Sequence, residues 1–335
     1  MDLSLFYFTA DAGEQSTPDA YRLLLEGAKF ADDNGFDAVW TPERHFHPFG
    51  GPYPNPSVTS AAIAAVTTRI GIRAGSVVLP LHDPLRVAEE WAVVDQLSRG
   101  RVGLAFASGW HAVDFALAPQ AFDNRRRDFV RLLDEVRTLW RGGTVRRVDG
   151  RGAEVDLAAY PRPVRPDPPV WITSAGDPAT FELAGRLGAN VLTHLLNQEV
   201  DDLAAKIQRY RTTRGAGGRV TLMLHAFAGP DDASVRDVVR DPMRRYLRRS
   251  LDLSARLVGR DLDEDDVDFL VDRAFERYLT RAGLFGGPET CLAFLDRLTG
   301  IGVDEVACLI DFGVDTATTL HALPHLAAVR ERSSR

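Results

Sequence analysis

Short apolar runs alternate with longer stretches in which apolar residues recur at helical spacing, and this alternation continues along nearly all 335 residues. The short runs predict β-strands and the longer stretches predict amphipathic helices. Eight strands are predicted, over residues 3–8, 37–40, 70–80, 101–107, 169–173, 190–195, 219–228 and 304–311. Helices are predicted over residues 18–34, 57–67, 84–98, 124–140, 178–187, 198–213, 288–299 and 315–331.

The joints between these elements carry residues that start or end helices. Proline fits the first helical position because its missing N–H would have no partner there, and glycine fits the position just past a helix end. The sequence has Thr17-Pro18, Asp83-Pro84 and Asp177-Pro178 at predicted starts, and Gly35, Gly100 and Gly188 at predicted ends. Strands that alternate with helices indicate βαβ units and a parallel sheet. Eight such units predict an α/β fold, a single (β/α)8 TIM-type barrel, with an open doubly wound sheet as the alternative.

Two segments exceed what eight βα units need within a single domain of residues 1–335. Residues 142–168 are rich in Gly, Pro and Arg and predict a strap or short hairpin before the fifth strand. Residues 230–284 predict two or three charged helices after the seventh strand. Active sites of barrels lie at the carboxyl ends of the strands, so this helical insertion is expected at the mouth. It is interpreted either as a lid or as a solvated extension or dimer contact.

Composition and charge argue against some classes of binding partner. A net charge of −7 and a pI of about 5.7 argue against nucleic acid or an anionic membrane. The chain begins MDLSLFYF, without a basic leader or long apolar segment, so a cytoplasmic protein with no membrane span is expected. Cys291 and Cys308 lack metal-ligand spacing, and no metal site is predicted. Only Lys29 and Lys206 among the 40 basic residues are lysines, which we interpret as the mark of a GC-rich genome.

Polar and small residues that could take part in catalysis or ligand binding fall where the predicted strands end. In a barrel these ends converge on one mouth, so the side chains are expected to meet there. Imidazole exchanges protons near neutral pH, which indicates proton transfer. Taken singly, His194 and His225 are better explained as buried structural histidines. The set comprises Phe8, Thr9, Glu43, Arg44, His45, His47, Gly75, Ser76, Ser108, Gly109, His111, Ser174, His194, His225 and Asp311.

The stretch TSAGDPATF after the fifth strand predicts an anion site. Ser174, Ala175 and Gly176 can present backbone N–H groups and a hydroxyl to a phosphate at a helix N-terminus. Asp177 opposes an anion unless its carboxylate only caps the helix. The sequence contains no HExxH, GxSxG, GxGxxG or GKS/T motif, so it gives no sign of a zinc-protease, serine-hydrolase, dinucleotide or P-loop site.

Two blocks of the chain resemble the bacterial-luciferase-like family of flavin-dependent monooxygenases. PERHF, residues 42–46, is similar to that family's Glu-His-His-Phe loop after the second strand. GIRAGSVVLPLHDPLRVAEEWAVVDQLSRGRVGLAFASGW, residues 71–110, resembles its bulged third strand, Pro-rich turn, following helix and Gly-rich fourth strand. ERHFHPFGGPYPNPSV, ASGWHAVDFALAP, ANVLTHLL and CLIDFG resemble a MupA-like subgroup found with polyketide and nonribosomal peptide assembly lines.

The resemblance implies a homodimeric barrel that binds FMN at its mouth and receives reduced FMN from a separate reductase. It implies that reduced FMN reacts with molecular oxygen to give a flavin hydroperoxide, from which one oxygen atom passes to the substrate. Gly75 and Ser76 would then lie against the flavin ring, often through a cis peptide bond. The other cofactor-binding candidates are Ser108, Gly109, His194 and the phosphate turn of Ser174, Ala175 and Gly176.

One position departs from the family pattern. Luciferases have two adjacent histidines, the first of which acts in proton transfer, and Arg44 occupies that position here. Arginine stays protonated, so either His45 is the base or Arg44 stabilises a peroxide anion or a substrate carboxylate. Glu43, Arg44 and His45 are therefore the catalytic candidates, and light emission is not expected. Aromatic residues of the same loop are expected to exclude water, namely Phe46, Phe49 and Tyr53.

The predicted function is a reduced-FMN-dependent monooxygenase of natural-product biosynthesis. It would carry out hydroxylation or Baeyer–Villiger insertion on a small or carrier-protein-bound intermediate. A deazaflavin-dependent hydride-transfer enzyme and a non-catalytic flavin carrier are the alternatives, and cofactor preference distinguishes the deazaflavin enzyme from an oxygenase. Four arginines of the helical insertion are either a docking surface for an acidic carrier protein or a solvated face: Arg244, Arg245, Arg248 and Arg249.

Overall fold

The structure, a computed structural model, describes residues 1–8, 20–47, 51–196, 198–258 and 264–333, with no side chains described for 251–258 and 264–266. The strands of the described part are β1 (Asp2–Phe6), β2 (Ala38–Thr41), β3 (Gly71–Val78), β4 (Val102–Ala107), β5 (Val145–Val148), β6 (Glu154–Leu157), β7 (Val170–Thr173), β8 (Asn190–His194), β9 (Val220–Ala228), β10 (Leu284–Gly286) and β11 (Glu305–Leu309). Eight of them pair in the order β9, β11, β1, β2, β3, β4, β7, β8 and return to β9. All of these pairings are parallel. The predicted TIM-type barrel is confirmed, and the open sheet is excluded.

The barrel strands are short apolar runs because helices cover their outer faces while side chains fill the interior. All nine residues of β9 and all five of β11 are buried. Parallel strands buried on both faces read as continuous hydrophobic runs rather than alternating ones, which is why the sequence located them. Each of the eight predicted strands overlaps an observed barrel strand, and the ends differ by one to two residues at most joints.

The helices of the described part are α1 (Arg22–Asp33), α2 (Pro56–Val66), α3 (Pro84–Ser98), α4 (Arg125–Trp140), α5 (Pro178–Arg186), α6 (Val200–Arg214), α7 (Asp232–Val258), α8 (Glu264–Arg277), α9 (Pro288–Gly300) and α10 (Thr316–Ser333). The predicted caps at Asp83 and Asp177 are confirmed, since their carboxylates accept backbone N–H groups of α3 and α5 at 2.8 and 3.0 Å. Gly35 follows α1 with φ +78°, a left-handed conformation that glycine adopts without strain. Thr17 and Pro18 lie outside the described residues.

Both predicted insertions contain secondary structure of the expected kind. β5 and β6 form an antiparallel hairpin, the short hairpin predicted within 142–168. α7 and α8 pack against each other and are followed by a π-helix at Tyr278–Ala282. The three-residue strand β10 then pairs with the end of β9, with Leu284 opposite Ala226, and was not predicted because three residues show no periodicity. Within the described ranges, no helix is both long and apolar enough to cross a membrane.

The N-terminal end of the barrel is filled by a buried ion cluster centred on Glu305. Its carboxylate accepts hydrogen bonds from Arg73 at 2.7 and 2.8 Å and from Arg219 at 2.9 Å. The indole N–H of Trp40 at 3.1 Å and the hydroxyl of Thr221 at 2.9 Å also donate hydrogen bonds to this carboxylate. Burial alone would raise the pKa of Glu305, but the two arginines outweigh it and lower the pKa to about 2. This end of the barrel is therefore closed and charge-compensated, which leaves the opposite mouth as the accessible end.

Candidate active site

The loop after β2 buries one carboxylate between two imidazoles. Glu43 has no exposed side-chain surface, and its Oε1 accepts from His45 Nε2 at 2.8 Å and from His82 Nε2 at 2.6 Å. Its Oε2 accepts the backbone N–H of Val78 at 2.7 Å. His82 stands between β3 and α3, 39 residues from Glu43, and is absent from the sequence candidates. The cluster thus joins the carboxyl ends of two neighbouring strands.

Hydrogen bonds decide the charge states in this cluster. Burial by itself would raise the pKa of Glu43, but the bonds from His45 and His82 outweigh burial and lower it. Burial would lower the pKa of His82, whereas the hydrogen bond and charge of Glu43 raise it. Because Glu43 is an anion near neutral pH, it holds the hydrogen of His45 on Nε2. The Nδ1 of a neutral His45 is then the nitrogen with a lone pair for accepting a proton.

Arg44, the next residue, contacts a different part of the mouth. Its guanidinium carbon lies 4.0 Å from the centroid of the Phe8 ring. Burial lowers the pKa of Arg44, and the charges of Tyr246, Asp114 and Asp311 oppose that effect. Asp311 accepts the backbone N–H of Phe8 at 2.9 and 3.1 Å. A buried cation therefore lies among side chains from β1, β11 and the helical insertion.

The third strand carries the bulge that the sequence predicted. Its register to β4 shifts between Ala74 and Val77, and the intervening Gly75–Ser76 peptide bond is cis, as expected. A Cβ on Gly75 would lie 2.7 Å from the Phe6 ring, so only glycine fits. The Ser76 hydroxyl lies 2.5 Å from the Thr173 hydroxyl, which links the bulge to the end of β7.

The segment after β4 turns back toward the bulge. Ser108 is half-buried there, and Gly109 has φ +79°. A Cβ on Gly109 would lie 2.8 Å from both Phe115 and Val78, so this glycine permits a close approach of two chain segments. His111 Nδ1 lies 2.9 Å from a carboxylate oxygen of Asp114 within the following turn of 3-10 helix. His111 is therefore held by its own loop.

The predicted anion turn joins β7 to α5. Gly176 has φ +112°, and its N–H donates to the Ser174 hydroxyl at 3.3 Å. Asp177 uses its carboxylate to cap α5, which resolves the conflict between that charge and an anion. A Cβ built on Gly176 would lie 3.4 Å from the Lys206 ammonium nitrogen. A lysine of α6 thus stands beside the turn, and the sequence prediction did not include it.

A second set of hydrogen bonds ties the helical insertion to this turn. Lys206 donates to Gln198 Oε1 at 2.6 Å, and Gln198 is itself buried. Arg277 of α8 donates to the carbonyl oxygens of Gln198 at 2.7 Å and Leu195 at 2.9 Å. Arg277 also pairs with Glu199 at 2.9 Å. The segment after β8 therefore connects the anion turn to α8.

Two histidines at the ends of β8 and β9 are held neutral. Burial lowers the pKa of His194 to about 4, and burial with the nearby His194 lowers that of His225 to about 3. Tyr246 and Tyr278 pack edge-on against the His225 ring, with centroids 4.8 and 5.0 Å away. The Nε2 of His225 is buried and has no hydrogen-bond partner among the described residues. An unused nitrogen at this depth is a polar group that a bound molecule could satisfy.

Sequence reasoning missed the residues whose role depends on folding. His82 had a signal in the sequence, since it follows the bulged strand as closely as other candidates follow theirs. Lys206 had a weaker one, as one of two lysines in an arginine-rich chain. Gln198, Tyr246 and Arg277 had none, because their positions follow from how the helical insertion packs.

The sequence model that describes luciferase-like monooxygenases matches residues 1–305 of this chain. The chain belongs to the luciferase-like monooxygenase family. Among curated relatives of this luciferase-like chain is the oxygenase component of a flavin-dependent trigonelline monooxygenase from Acinetobacter baylyi, 30% identical over 213 residues. That match covers 61% of this chain and 58% of the relative, so the chain spans little more than half of that protein's length.

Solved structures of low sequence identity share the barrel. The monooxygenase RslO1 from Streptomyces bottropensis superposes with a TM-score of 0.82 at 24% identity over the full length of both chains. The oxygenating constituent of 3,6-diketocamphane monooxygenase from Pseudomonas putida, solved with FMN, gives a TM-score of 0.76 at 19% identity. It covers 98% of this chain and 97% of its own. F420-dependent oxidoreductases also share this fold.

Proposed function

We propose that this luciferase-like chain is the oxygenase component of a two-component monooxygenase that uses reduced FMN from a separate reductase. One observation carries the proposal: an anion turn with a lysine beside it opens on the same mouth as a buried carboxylate that holds His45 and His82. The turn suits a phosphate-bearing cofactor, and the cluster suits proton exchange. The Acinetobacter relative, an oxygenase component by name, supports the need for a reductase.

The residues at the mouth fit FMN. Ser174, Ala175, Gly176 and Lys206 would hold its phosphate, since they combine N–H groups, a hydroxyl and an ammonium. The bulge at Gly75 and Ser76 would lie against the ring, with Ser108, Gly109 and His194 beside it. The buried, unpartnered Nε2 of His225 independently indicates a ligand at this end of the barrel. Bound reduced FMN supplies the electrons that activate molecular oxygen.

His45 is proposed as the residue that accepts and returns a proton. Glu43 fixes its tautomer by holding the hydrogen on Nε2, which leaves Nδ1 for the exchange. The carboxylate also stabilises the imidazolium that forms, as a buried acid does beside a catalytic histidine. His82 shares the same oxygen of Glu43 and is one-third exposed, so it can balance the charge of Glu43 from the solvent side.

Arg44 is proposed to stabilise negative charge rather than to move a proton. Its guanidinium is buried beside Phe8 and stays protonated, so it can only act electrostatically. A cation in a water-poor site stabilises an anion far more strongly than one in bulk water. The target is a reduced-oxygen anion or a substrate carboxylate, the two possibilities that the sequence left open.

The helical insertion is proposed to work as a lid. Tyr246 and Tyr278 cover His225 at the end of β9, and Arg277 ties α8 to the segment after β8. These contacts place apolar rings over the mouth, where exclusion of water would protect a reactive oxygen species. Movement of this insertion would open the site for substrate entry and cover it afterwards.

The substrate is proposed to be a small or carrier-protein-tethered intermediate of natural-product biosynthesis, as the MupA-like motifs imply. The arginines of α7 give this only limited support. Arg244 pairs with Asp272 at 2.8 Å, and Arg248 pairs with Asp268. These ion pairs join α7 to α8, so Arg244 and Arg248 stabilise the insertion. Arg245 and Arg249 are exposed on α7, and a carrier protein would dock on that face.

A homodimer is proposed through the outer faces of α2 and α3. These two adjacent helices expose apolar side chains where a monomer would carry polar ones. The exposed residues are Val58 and Val66 of α2 and Val93 and Leu97 of α3. Substitution of Leu97 by Glu is expected to convert a dimer to a monomer in light scattering, whereas Val238→Glu on α7 is not. A wild-type monomer would contradict the proposal.

The decisive experiment mixes the protein and anaerobically reduced FMN with oxygenated buffer and follows the return of oxidised-FMN absorbance. We expect oxidised FMN to form roughly tenfold more slowly with the protein than without it, because a closed mouth that excludes water would slow the reaction that regenerates oxidised FMN. His45→Gln should change this rate, while His321→Gln, an exposed position on α10, should not.

Other outcomes select the alternatives. Preferential binding of a deazaflavin, with hydride transfer to or from substrate, would establish the hydride-transfer enzyme in place of the oxygenase. Tight binding of oxidised FMN with no effect of His45→Gln on any rate would establish a non-catalytic flavin carrier. With a candidate substrate, labelled molecular oxygen in the product would settle oxygen transfer.

A further inference from the structure

A cavity of about 340 Å³ lies outside the barrel, at the end opposite the mouth. Its floor is the outer face of β4, since Gly103 of that strand approaches Trp171 and Arg73 inside the barrel while Leu104 and Phe106 alternate to the outside. Its walls are the last turns of α4 and α6 and the starts of β7 and β8. The volume falls within the range of small-molecule pockets, about 300–1,000 Å³.

The rim of this cavity concentrates positive charge. Arg137, Arg141 and Arg214 line it together with one carboxylate, that of Asp167. Asp167 pairs with Arg141 at 2.7 and 2.9 Å and so compensates only one of the three cations. The excess of guanidinium groups around one opening favours an anionic occupant.

Arg137 is the most informative of the three cations. Its side chain is half-buried, yet within the described part of the chain it makes no hydrogen bond and no ion pair. Burial lowers the pKa of Arg137, and the neighbouring charges of Asp134, Arg141 and Asp167 partly offset one another. The Arg214 Nε is likewise buried without a partner among the described residues. The buried Arg214 Nε is costly to leave without a partner, and an anion at the rim would satisfy it together with the half-buried Arg137 guanidinium.

We propose that this cavity binds a small organic anion, with its carboxylate or phosphate at Arg137 and Arg214 and its apolar body on Leu104 and Phe106. The chemistry of the lining argues for both halves of the ligand. An inorganic ion would make no apolar contact with the cavity floor on β4 or with the side chains of Val136, Trp140 and Val170. A neutral apolar molecule would leave the guanidinium groups unsatisfied.

The site is separate from the barrel mouth but shares strands with it. β4 begins at the cavity and ends before Ser108, and β7 begins there and ends before Ser174. A ligand on the floor therefore contacts the strands that carry two proposed cofactor-binding positions. The binding proposal itself does not depend on the proposed oxygenase activity.

The test is calorimetric titration of the intact chain with 4-phenylbutyrate, phenyl phosphate, 4-phenylbutanol and inorganic phosphate. We expect either organic anion to bind roughly tenfold more tightly than the matched alcohol or inorganic phosphate. Arg137→Gln should weaken organic-anion binding roughly tenfold, or about 1.4 kcal/mol. Arg126→Gln removes the same charge from an exposed position of the same helix and should leave binding unchanged. Arg214→Gln, which changes the other proposed contact, provides a second test if Arg137→Gln fails to fold.

The proposal is overturned by any of three results. Neither organic anion produces binding heat with the wild-type chain. The alcohol binds as tightly as the carboxylate, which would make the cavity a non-selective apolar site. Arg137→Gln and Arg214→Gln bind the anions as tightly as Arg126→Gln, which would place the ligand elsewhere.

Discussion

The two ends of this barrel bury charge in different ways. At the N-terminal end, Glu305 is surrounded by Arg73 and Arg219, which stay protonated at any working pH, and by neutral donors. At the mouth, Glu43 is held by the imidazoles of His45 and His82, and His225 retains a nitrogen with no partner among the described residues. The carboxylate inside the closed end is compensated by permanent charges, and the carboxylate at the mouth is compensated by imidazoles, whose charge is not permanent.

The difference separates stability from chemistry. A carboxylate fixed between arginines cannot exchange protons usefully, because its lowered pKa of about 2 keeps it ionised. A carboxylate fixed between histidines can support proton transfer, since imidazole is the side chain best suited to proton exchange near neutral pH. The same residue type is thus structural at one end and proposed as functional at the other. Substitutions at the two ends should therefore affect different measurements.

The largest expected effect is on stability, from Glu305→Ala. Removal of this carboxylate takes away the fully buried partner of Arg73 and Arg219, which keep only the half-exposed Asp37 and Asp2 as partners. Loss of one member of a buried ion pair typically costs about 3–5 kcal/mol. The free energy of unfolding, measured by urea titration with circular dichroism, should fall by that amount. Flavin affinity of the remaining folded protein should stay near that of the wild type, because Glu305 lies at the closed end.

A matched control comes from an exposed ion pair. Glu289 pairs with Arg332 at 2.7 Å while 83% of its side chain is exposed. Glu289→Ala should change the free energy of unfolding by less than about 1 kcal/mol. If Glu305→Ala is no more destabilising than Glu289→Ala, the cluster at the closed end does not stabilise the barrel.

The next effect is on turnover, from Glu43→Gln. The amide cannot hold the hydrogen of His45 on Nε2 by charge and cannot stabilise the imidazolium. We expect turnover with reduced FMN to fall roughly a hundredfold or more, within the range of general acid–base contributions. Stopped-flow oxidation and product formation measure the loss. Glu89→Gln, an exposed position of α3, is the control and should retain wild-type turnover. Unchanged turnover in Glu43→Gln would remove the cluster from the mechanism.

The sequence predicted the barrel well because its local signals agree with the global fold. β9 and β11 are buried on both faces and so read as continuous apolar runs, while Asp83 and Asp177 cap the helices that they precede. Such features depend on a few neighbouring residues. The strand β10 lacked a signal because it is three residues long and exists only as an extension of β9.

The candidate site was predicted in part, for a related reason. Strand ends could be located, so Glu43, His45, Ser174 and Gly176 could be named as candidates. Their partners could not be located, since no local pattern specifies a contact across the fold. His82 meets Glu43 across 39 residues, and Arg73 meets Glu305 across 232. Pairwise contacts of this kind follow from the closed barrel rather than from the order of residues.

A smaller effect is expected on cofactor affinity, from Lys206→Met. The variant removes the ammonium beside Gly176 while keeping a long side chain, so FMN should lose one charge-assisted contact. We expect its dissociation constant to rise roughly tenfold, in line with about 1.5 kcal/mol for such a bond. Fluorescence quenching of oxidised FMN measures this. Lys29→Met, the chain's other lysine, is the control, since it lies exposed on α1 beside Glu26. Equal affinities for the two variants would move the phosphate away from the turn.

The smallest effect is on the pH dependence of stability, and it distinguishes the two carboxylates directly. The folded pKa of His82 is raised above its ordinary 6.5, so its stabilisation is fully present below pH 6.5 and is lost as pH rises through the raised value. The arginines around Glu305 show no such loss. From pH 6 to 9 the free energy of unfolding of the wild type relative to His82→Gln should therefore fall, by at most about 1 kcal/mol because His82 is partly exposed. The lowered pKa values of His194 and His225 raise stability over the same range equally in both proteins, so only this difference reports on His82.

Two variants separate the contributions in the same urea titrations. His82→Gln should remove the part of the slope between pH 6 and 9 that comes from His82, while Glu305→Gln should keep that part. At acid pH the two variants exchange roles, and Glu305→Gln is the one expected to change the pH dependence. The lowered pKa of Glu305 gives stability that is present above its ordinary 4.5 and is lost as pH falls toward about 2, so Glu305→Gln should flatten that limb. A His82→Gln variant that keeps the alkaline slope would show that Glu43 is compensated as permanently as Glu305, and the contrast between the two ends would disappear.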